Sequence, residues 1–124
     1  DIGTLASEIK EDSILNNENI VKVTTKEKLK NYSFSNALKF SRKILSKENY
    51  PIYHHIGIYA YKVSVLERFV NLNQTENEIE NRLEQLRALD NNISISVALA
   101  NSSPIGIDTK EDFVAIKKIM EYKS

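Results

Sequence analysis

The stretch "YHHIGIYAY", residues 53–61, predicts a β-strand with two different faces. Strand side chains point alternately to the two faces of a sheet, so every second residue shares a face. One face carries His55, Gly57, Tyr59 and Tyr61, and the other carries Ile56, Ile58 and Ala60. The isoleucine face is predicted to be core, and the other face is chemically mixed. A glycine in a strand often marks close approach by a ligand or another backbone. The alternative is an ordinary, partly buried strand face, since His and Tyr are intermediate in burial.

Downstream of this strand, the pattern predicts helices and one more strand. "VSVLERFV" indicates a brief helix, and Thr75 with Glu78 forms a Thr-x-x-Glu capping box that begins a longer helix ending at about Leu89. The buried stripe of that helix would be Ile79, Leu83, Leu86 and Leu89. Alternation over 93–99 predicts a strand, and a last helix after "NSSPIGIDTKED" would bury Phe113, Ile116 and Met120.

Upstream of the predicted strand at residues 53–61, the pattern predicts one helix and two strands. Leu5, Ala6 and Ile9 lie at helical spacing and predict a helix over Thr4 to Lys10, followed by a loop at "EDSILNNEN". "IVKVTT" is rich in β-branched residues and predicts a strand. "NALKFSRKI" alternates like a half-exposed strand, with a helix as the alternative. Interleaved strands and helices predict a layered α/β fold, formed by residues 1–124 as a single domain.

Composition excludes several classes of partner and site. Seventeen Lys and Arg residues balance seventeen Asp and Glu residues, so the chain lacks the basic surface of a nucleic-acid binder or an anionic-membrane binder. No apolar run approaches the roughly 18 residues of a membrane span. The chain has no cysteine, which excludes disulfides and thiolate chemistry and fits a reducing compartment, so we expect a cytoplasmic location. Small neutral or metal-bridged ligands remain as candidates.

Few residues carry chemistry on this pattern alone. His54 and His55 are adjacent on a strand and point to opposite faces, so they cannot chelate one metal ion together. Glu84, Gln85 and Arg87 form a polar group on the capped helix, for which a solvated helix face is the alternative. Asp108 precedes the last helix, where it would serve as an N-cap or as an oxygen ligand for a hard cation such as Mg²⁺.

Three motifs in order resemble one enzyme family. "HHIGIYAYK", "LEQLRAL" and "PIGIDTKEDF" are similar to the carboxy-terminal half of the 3-deoxy-manno-octulosonate (KDO) cytidylyltransferases, the CMP-KDO synthetases of lipopolysaccharide synthesis. Upstream, "DIGTLA", "VKV" and "KFSR" resemble mid-chain segments of the same family. The resemblance therefore spans nearly the whole chain.

The resemblance implies a fold, a reaction and a set of site residues. The fold would be α/β, a nucleotide-diphospho-sugar transferase-like (Rossmann-like) layered fold, of which this chain would be the carboxy-terminal half. CTP and KDO would react over Mg²⁺ to give CMP-KDO and pyrophosphate, in a homodimer. The sugar would contact His55, Tyr59, Glu84 and Gln85, together with Arg42 of "FSR", and Asp108 of "GID" would ligate Mg²⁺. In that arrangement the mixed strand face is a wall of the sugar pocket.

The sequence also departs from the family's pattern. The chain has no counterpart of the Leu-Pro-Gly-Lys-Pro loop that grips CTP, and its glycines are Gly3, Gly57 and Gly106. Asn81 stands where many members have a glutamate, and "KILSKENYP" replaces a short Ile-Pro element. We therefore expect the chain alone to be inactive. Two alternatives remain open: a non-catalytic sugar-binding or dimerisation module, and a cytidylyltransferase for another sugar acid such as sialic or pseudaminic acid.

Overall fold

A single five-stranded sheet organises the described part of the chain. The computed structural model describes residues 1–43, 49–100 and 117. The strands are β1 (Ile2–Ser7), β2 (Lys22–Thr25), β3 (Phe34–Ser41), β4 (Ile52–Tyr61) and β5 (Ile95–Leu99). They are ordered β1-β4-β2-β3-β5, and the sheet closes into a barrel. Four short helices accompany it: α1 (Asp12–Asn16), α2 (Val63–Val70), α3 (Glu76–Asn81) and α4 (Leu86–Asp90).

Strand β4 lies at the centre of the pairing, and β5 closes the sheet. β4 is antiparallel to both β1 and β2, and β3 is antiparallel to β2 and β5. β1 and β5 pair in parallel, with Ile2 opposite Ile95. This pairing satisfies both edges of the five described strands, and closure removes the free edges that promote aggregation in open sheets.

One hydrophobic core joins the sheet to α2 and α4. Strand residues such as Ile2, Val23, Ile95 and Val97 share a buried cluster with Phe69 of α2 and with Leu86 and Ala88 of α4. The prediction of an α/β fold is therefore confirmed. The predicted strands at "IVKVTT", "NALKFSRKI" and 93–99, and the brief helix at "VSVLERFV", are also present, as β2, β3, β5 and α2. Among the described residues, no helix is both long enough and apolar enough to cross a membrane.

The prediction for β4 was right about the strand, but of its predicted core face it was right for Ile56, which is 5% exposed, and wrong for Ile58. Ile58 is 61% exposed, whereas His55 is only 8% exposed. The cause is a bulge: Thr4 of β1 pairs with Tyr59 and Leu5 pairs with Ile56, which leaves Gly57 and Ile58 without a partner on β1. Simple alternation assumes an unbroken ladder, and the bulge breaks it.

The predictions for the first twenty residues were wrong. The expected helix over Thr4 to Lys10 is strand β1, because pairing with β4 and β5 outweighs a weak helical spacing. The expected loop at "EDSILNNEN" contains the helix α1, which buries none of its residues and has no side-chain N-cap. Such a short exposed helix leaves almost no pattern in the sequence.

The long helix predicted from Thr75 to about Leu89 is two helices. Its capping box is confirmed: the Thr75 side chain accepts from the Glu78 backbone N–H, and the Glu78 carboxylate accepts from the Thr75 N–H. Arg82 then adopts a left-handed conformation (φ 53°) and ends α3. As a result Ile79, predicted to be buried, is 58% exposed. The predicted last helix lies outside the described residues apart from Lys117, so the single-domain prediction for 1–124 stays a prediction.

Candidate functional site

A row of aromatic rings runs along one face of β4. The His55 ring lies 4.9 Å from Phe40 and 5.5 Å from Tyr59, measured between ring centroids. Tyr59 lies 6.1 Å from Tyr61, which lies 6.1 Å from Phe69 of α2. These separations are typical of tilted aromatic pairs in contact. The predicted mixed face of the strand is thus a continuous wall, fixed at one end by β3 and at the other by α2.

His55 is held at the bulge of β4 by Thr4. The Thr4 Oγ1 lies 2.9 Å from the His55 Nε2, and it also lies 3.2 Å from the Ile56 carbonyl oxygen and 2.8 Å from that of Ile58. Burial, reinforced by the neighbouring His54, lowers the pKa of His55 to about 4. The ring is therefore neutral at pH 7, and it can bind a ligand through a hydrogen bond but not through a positive charge.

The two tyrosines of the row keep their hydroxyl protons. Burial is the main cause that raises the pKa of Tyr59 well above its usual value, and Tyr61 and Glu84 add to it. Burial and Glu84 also raise the pKa of Tyr61. The charge of Glu84 thus acts on both hydroxyls in the same direction. The structure places His55, Tyr59 and Tyr61 in one row of contacting rings. Contact of His55, Tyr59 and Glu84 with the sugar stays a prediction.

A buried ion pair holds the turn that carries Glu84 and Gln85. The Arg87 Nε and Nη2 donate to the two carboxylate oxygens of Glu78, at 2.9 and 2.6 Å. The Arg87 guanidinium also lies 4.9 Å from the ring centroid of Phe69. Arg87 therefore ties α3 and α4 to the end of the aromatic row. The alternative of a solvated face fits the exposed Glu84, but it is wrong for Arg87, whose side chain is 12% exposed.

A cleft of about 520 Å³ opens beside this turn. Its walls include Glu78, Arg82, Glu84 and Arg87. Among the five residues predicted to contact the sugar, only Glu84 lines this cleft. The other four are not among its walls, namely His55, Tyr59, Gln85 and Arg42. Glu84 thus lines the cleft, and its charge also raises the pKa of Tyr59 and Tyr61. The cleft and the aromatic row both offer polar groups to a hydroxyl-rich ligand.

Arg42 lies at a different place on the sheet. It follows β3, and its backbone carbonyl accepts a 2.5 Å hydrogen bond from the Lys22 Nζ, which also donates to the Asn17 carbonyl at 2.6 Å. Lys22 is fully buried. Burial lowers the pKa of Lys22, Glu18 opposes that shift, and the charge of Arg42 adds to it. The structure therefore groups Arg42 with Lys22, and its contact with the sugar stays a prediction.

The predicted metal ligand falls outside the described residues. Asp108 belongs to the stretch 101–116, and within 1–43, 49–100 and 117 no group of three or more His, Asp or Glu side chains is arranged to hold a metal ion. The described residues thus provide no metal site of their own. The assignment of Mg²⁺ to Asp108 stays a prediction.

Two features of the site were missed from the sequence, namely the role of Thr4 and the ion pair of Arg87 with Glu78. Thr4 was placed in a helix, although Ile2, Thr4 and Ala6 alternate with period two, which is the signal that indicates a strand. The partnership of Arg87 with Glu78 has no sequence signal, because nine positions separate the two residues and a regular helix pairs residues three or four apart. Only the break at Arg82 brings them together.

Known proteins resemble this chain in sequence. A family model described as cytidylyltransferase matches residues 1–95. The 3-deoxy-manno-octulosonate cytidylyltransferase of Bartonella bacilliformis is 43% identical over 120 residues, which cover 97% of this chain and 49% of that protein. The protein of the same name from Brucella anthropi is 44% identical over 112 residues, which cover 90% of this chain and 45% of that protein. The chain thus spans about half the length of these relatives.

A solved structure shares the fold. It is described as CMP:2-keto-3-deoxy-manno-octonic acid synthetase complexed with CTP, and it superposes on this chain with a TM-score of 0.78 at 27% identity. The superposition covers 99% of this chain and 50% of that one. The chain therefore belongs to the cytidylyltransferase family of enzymes, in which its relatives are 3-deoxy-manno-octulosonate cytidylyltransferases.

Proposed function

We propose that this chain is the carboxy-terminal half of a KDO cytidylyltransferase and supplies the wall of its sugar site. The observation that carries the proposal is the aromatic row of His55, Tyr59 and Tyr61. The enzyme would join CTP and KDO in the cytoplasm, for lipopolysaccharide synthesis. A homologous fold and relatives of that name support this assignment.

The side chains of the wall suit a hydroxyl-rich sugar acid. Tyr59 and Tyr61 keep their protons and can donate to sugar oxygens, whereas the Glu84 carboxylate accepts from sugar hydroxyls. Gln85, half-buried just before α4, offers both an amide donor and an acceptor. In the reaction, a sugar hydroxyl oxygen bonds to the α-phosphorus of CTP, the bond from that phosphorus to the bridging oxygen breaks, and pyrophosphate leaves. The wall would position that hydroxyl, which is the main protein contribution to such a transfer.

The remaining parts of the site follow the same proposal. Arg42 would reach the sugar from the end of β3, and Asp108 would ligate the Mg²⁺ that neutralises phosphate charge. The enzyme would be a homodimer whose interface includes the segment from "KFSRKI" to "YHHIGIYAYK". The exposed Tyr50 and Ile58 in that segment support association. A single monomer in sedimentation at micromolar concentrations would contradict the dimer.

A chimera tests the activity directly. The part of the Bartonella bacilliformis relative that this chain does not match is joined to the amino end of Asp1, and the release of pyrophosphate from CTP is measured with and without KDO. We expect KDO-dependent release by the chimera and none by the 124-residue chain alone. The complete Bartonella bacilliformis protein serves as the positive control. A chimera that folds and binds CTP but releases no pyrophosphate with KDO would refute the proposal.

The second candidate is a non-catalytic sugar-binding module. It is favoured by one observation, namely that the rings of His55, Tyr59 and Tyr61 form a continuous wall within this chain. The module would bind KDO without any nucleotide, which calorimetry on the 124-residue chain can measure. Release of pyrophosphate with sialic or pseudaminic acid but not with KDO would instead indicate another sugar acid.

Removal of single hydrogen-bonding groups should weaken binding of the sugar and leave binding of the nucleotide unchanged. Tyr59→Phe removes one hydroxyl and Gln85→Leu removes one amide, with side-chain volume nearly preserved. Each lost hydrogen bond costs about 0.5–1.5 kcal/mol, so in the chimera the KM for KDO should rise roughly 2- to 10-fold while the KM for CTP stays constant. Tyr32→Phe, at a fully exposed tyrosine, is the control. Unchanged KDO dependence in both site variants would return the strand face to the role of ordinary core.

Substitutions at Gly57 test whether this residue is required by the fold or by the ligand. A Cβ added at Gly57 meets no atom within 4 Å, and the residue is exposed at the bulge. Gly57→Ala should therefore change the free energy of unfolding by less than about 1 kcal/mol. If the bulge faces the sugar, Gly57→Val should raise the KM for KDO without a matching loss of stability. Equal losses of stability and of KDO affinity would assign Gly57 to the fold alone.

A further inference from the structure

The Thr4 hydroxyl faces three polar groups and has one proton to give. Thr4 is buried, and its Oγ1 lies within 3.2 Å of two backbone carbonyl oxygens, those of Ile56 and Ile58. The third neighbour is the His55 Nε2, at 2.9 Å. A carbonyl oxygen can only accept a hydrogen bond, whereas an imidazole nitrogen either donates or accepts. The position of the hydroxyl proton therefore decides the state of the histidine.

The carbonyl oxygens determine where that proton goes. If the hydroxyl donated to His55, its oxygen would face the Ile58 carbonyl oxygen at 2.8 Å with no proton between them. Two unprotonated oxygens at that separation repel, and burial strengthens the repulsion. The hydroxyl therefore donates to the carbonyl oxygens of the bulge. The Thr4 oxygen is then an acceptor toward the ring, so Nε2 must carry the imidazole proton.

We infer that Thr4 is a positioning residue, which holds His55 in the Nε2–H tautomer and presents Nδ1 as a hydrogen-bond acceptor to a hydroxyl of the substrate. This inference rests on the proposed function for the identity of the substrate. It gives His55 a defined polarity within the sugar wall: the ring receives a proton from the ligand and does not supply one. A carboxylate at the same place would meet a lone pair, so the ring selects a hydroxyl of the sugar acid.

Two further observations agree with this assignment. The ring is neutral at pH 7, because burial lowers the pKa of His55 to about 4, and a neutral ring has one donor and one acceptor. Among the described residues, no hydrogen bond is made to Nδ1 of His55, and the buried nitrogen without a partner is Nδ1 of His54. The accepting atom of His55 is thus not committed to a described part of the protein.

Nuclear magnetic resonance of the 124-residue chain tests the tautomer without any substrate. The chain has two histidines, so two-bond proton–nitrogen correlations of ¹⁵N-labelled imidazole are assigned with a His54→Gln variant. We expect His55 to be in the Nε2–H form in the parent and in Thr4→Ser, which keeps the hydroxyl. Thr4→Val removes the hydroxyl and should shift the ring toward a mixture of tautomers. An Nδ1–H ring in the parent, or an unchanged ring in Thr4→Val, would overturn the inference.

The substrate part has its own readout in the chimera described above. Thr4→Val should raise the KM for KDO roughly 2- to 10-fold, as expected for the loss of one oriented hydrogen bond, and Thr4→Ser should restore it. An unchanged KM in an active Thr4→Val chimera would overturn the role toward substrate. An inactive parent chimera would count against the proposed function, and the tautomer of the chain alone would still decide whether Thr4 positions His55.

Discussion

Arg87→Met is expected to lower the free energy of unfolding by about 3 kcal/mol, the cost of leaving a buried charge without its partner. Arg87 donates two hydrogen bonds to the Glu78 carboxylate, which is 6% exposed, and it covers the ring of Phe69. Methionine keeps much of the side-chain volume and none of the donors, so the loss reports on the ion pair and less on packing. Urea denaturation followed by circular dichroism measures the change.

Two controls separate the ion pair from the general effect of removing an arginine. Arg68→Met changes an exposed arginine of α2 and should cost less than about 1 kcal/mol. The double variant Glu78→Gln with Arg87→Met should recover part of the loss, because no buried charge remains. A cost for Arg87→Met no larger than that for Arg68→Met would show that the pair contributes no stability.

The ion pair between Glu78 and Arg87 should also lose its stabilising effect in acid. The hydrogen bonds from Arg87 hold the pKa of Glu78 below its ordinary value of 4.5, against the opposing effect of burial. A carboxyl group with a lowered folded pKa contributes stability that is complete above the unfolded pKa and is lost as the pH falls through the folded pKa. The difference in stability between the parent and Arg87→Met should therefore shrink below pH 4.5.

Acidification over a higher range, from pH 6.5 to about 4, should remove a second contribution of about 3 kcal/mol, through His55. The unfolded chain binds a proton at His55 near pH 6.5, whereas the folded chain does so near pH 4, because burial and then His54 lower the folded pKa. The unfolded state thus binds more protons within this window, and stability falls as the pH falls. Denaturation midpoints measured every half pH unit give the slope.

Matched histidine variants identify the source of that slope. His55→Gln keeps a donor for Thr4 and has no proton to bind, so most of the slope between pH 6.5 and 4 should disappear. His54 also has a lowered pKa, caused by burial and by Lys22, so His54→Gln should remove a smaller part. A slope in His55→Gln equal to that of the parent would mean that His55 is not buried in its neutral form.

Local patterns predicted the strands better than their faces. The alternation in "YHHIGIYAY" located β4, but the bulge at Gly57 and Ile58 depends on the register with β1, which no alternation within β4 reveals. The capping box at Thr75 was predictable because both of its partners lie within four residues. The end of that helix at Arg82 was not predictable, since Arg82 adopts a left-handed conformation that no residue pattern within the helix signals. Pairing between strands thus decided the faces of β4.

The candidate site divides in the same way. The resemblance grouped His55, Tyr59 and Glu84. The structure brings the rings of His55 and Tyr59 into contact, and it places Glu84 on the wall of a separate cleft. The role of Thr4 was not predicted, because it depends on a contact with His55, which is 51 positions away in the sequence. Lys22 escaped because a lysine between two valines suggests an exposed position, and its burial depends on backbone carbonyls of Asn17 and Arg42. Long-range hydrogen bonds thus define the parts that sequence reasoning could not supply.

The parallel pairing of β1 with β5 has a kinetic consequence. Asp1 and Ser94, which hydrogen-bond beside that pairing, are 93 positions apart, and contacts between distant segments slow folding because the intervening chain must be ordered first. On a ribosome, β1 emerges long before its partner has been synthesised. Until residues 95–99 arrive, one edge of the nascent sheet stays unpaired and open to strands of other chains. Synthesis of β5 therefore ends the period in which the unpaired edge of β1 can associate with other chains.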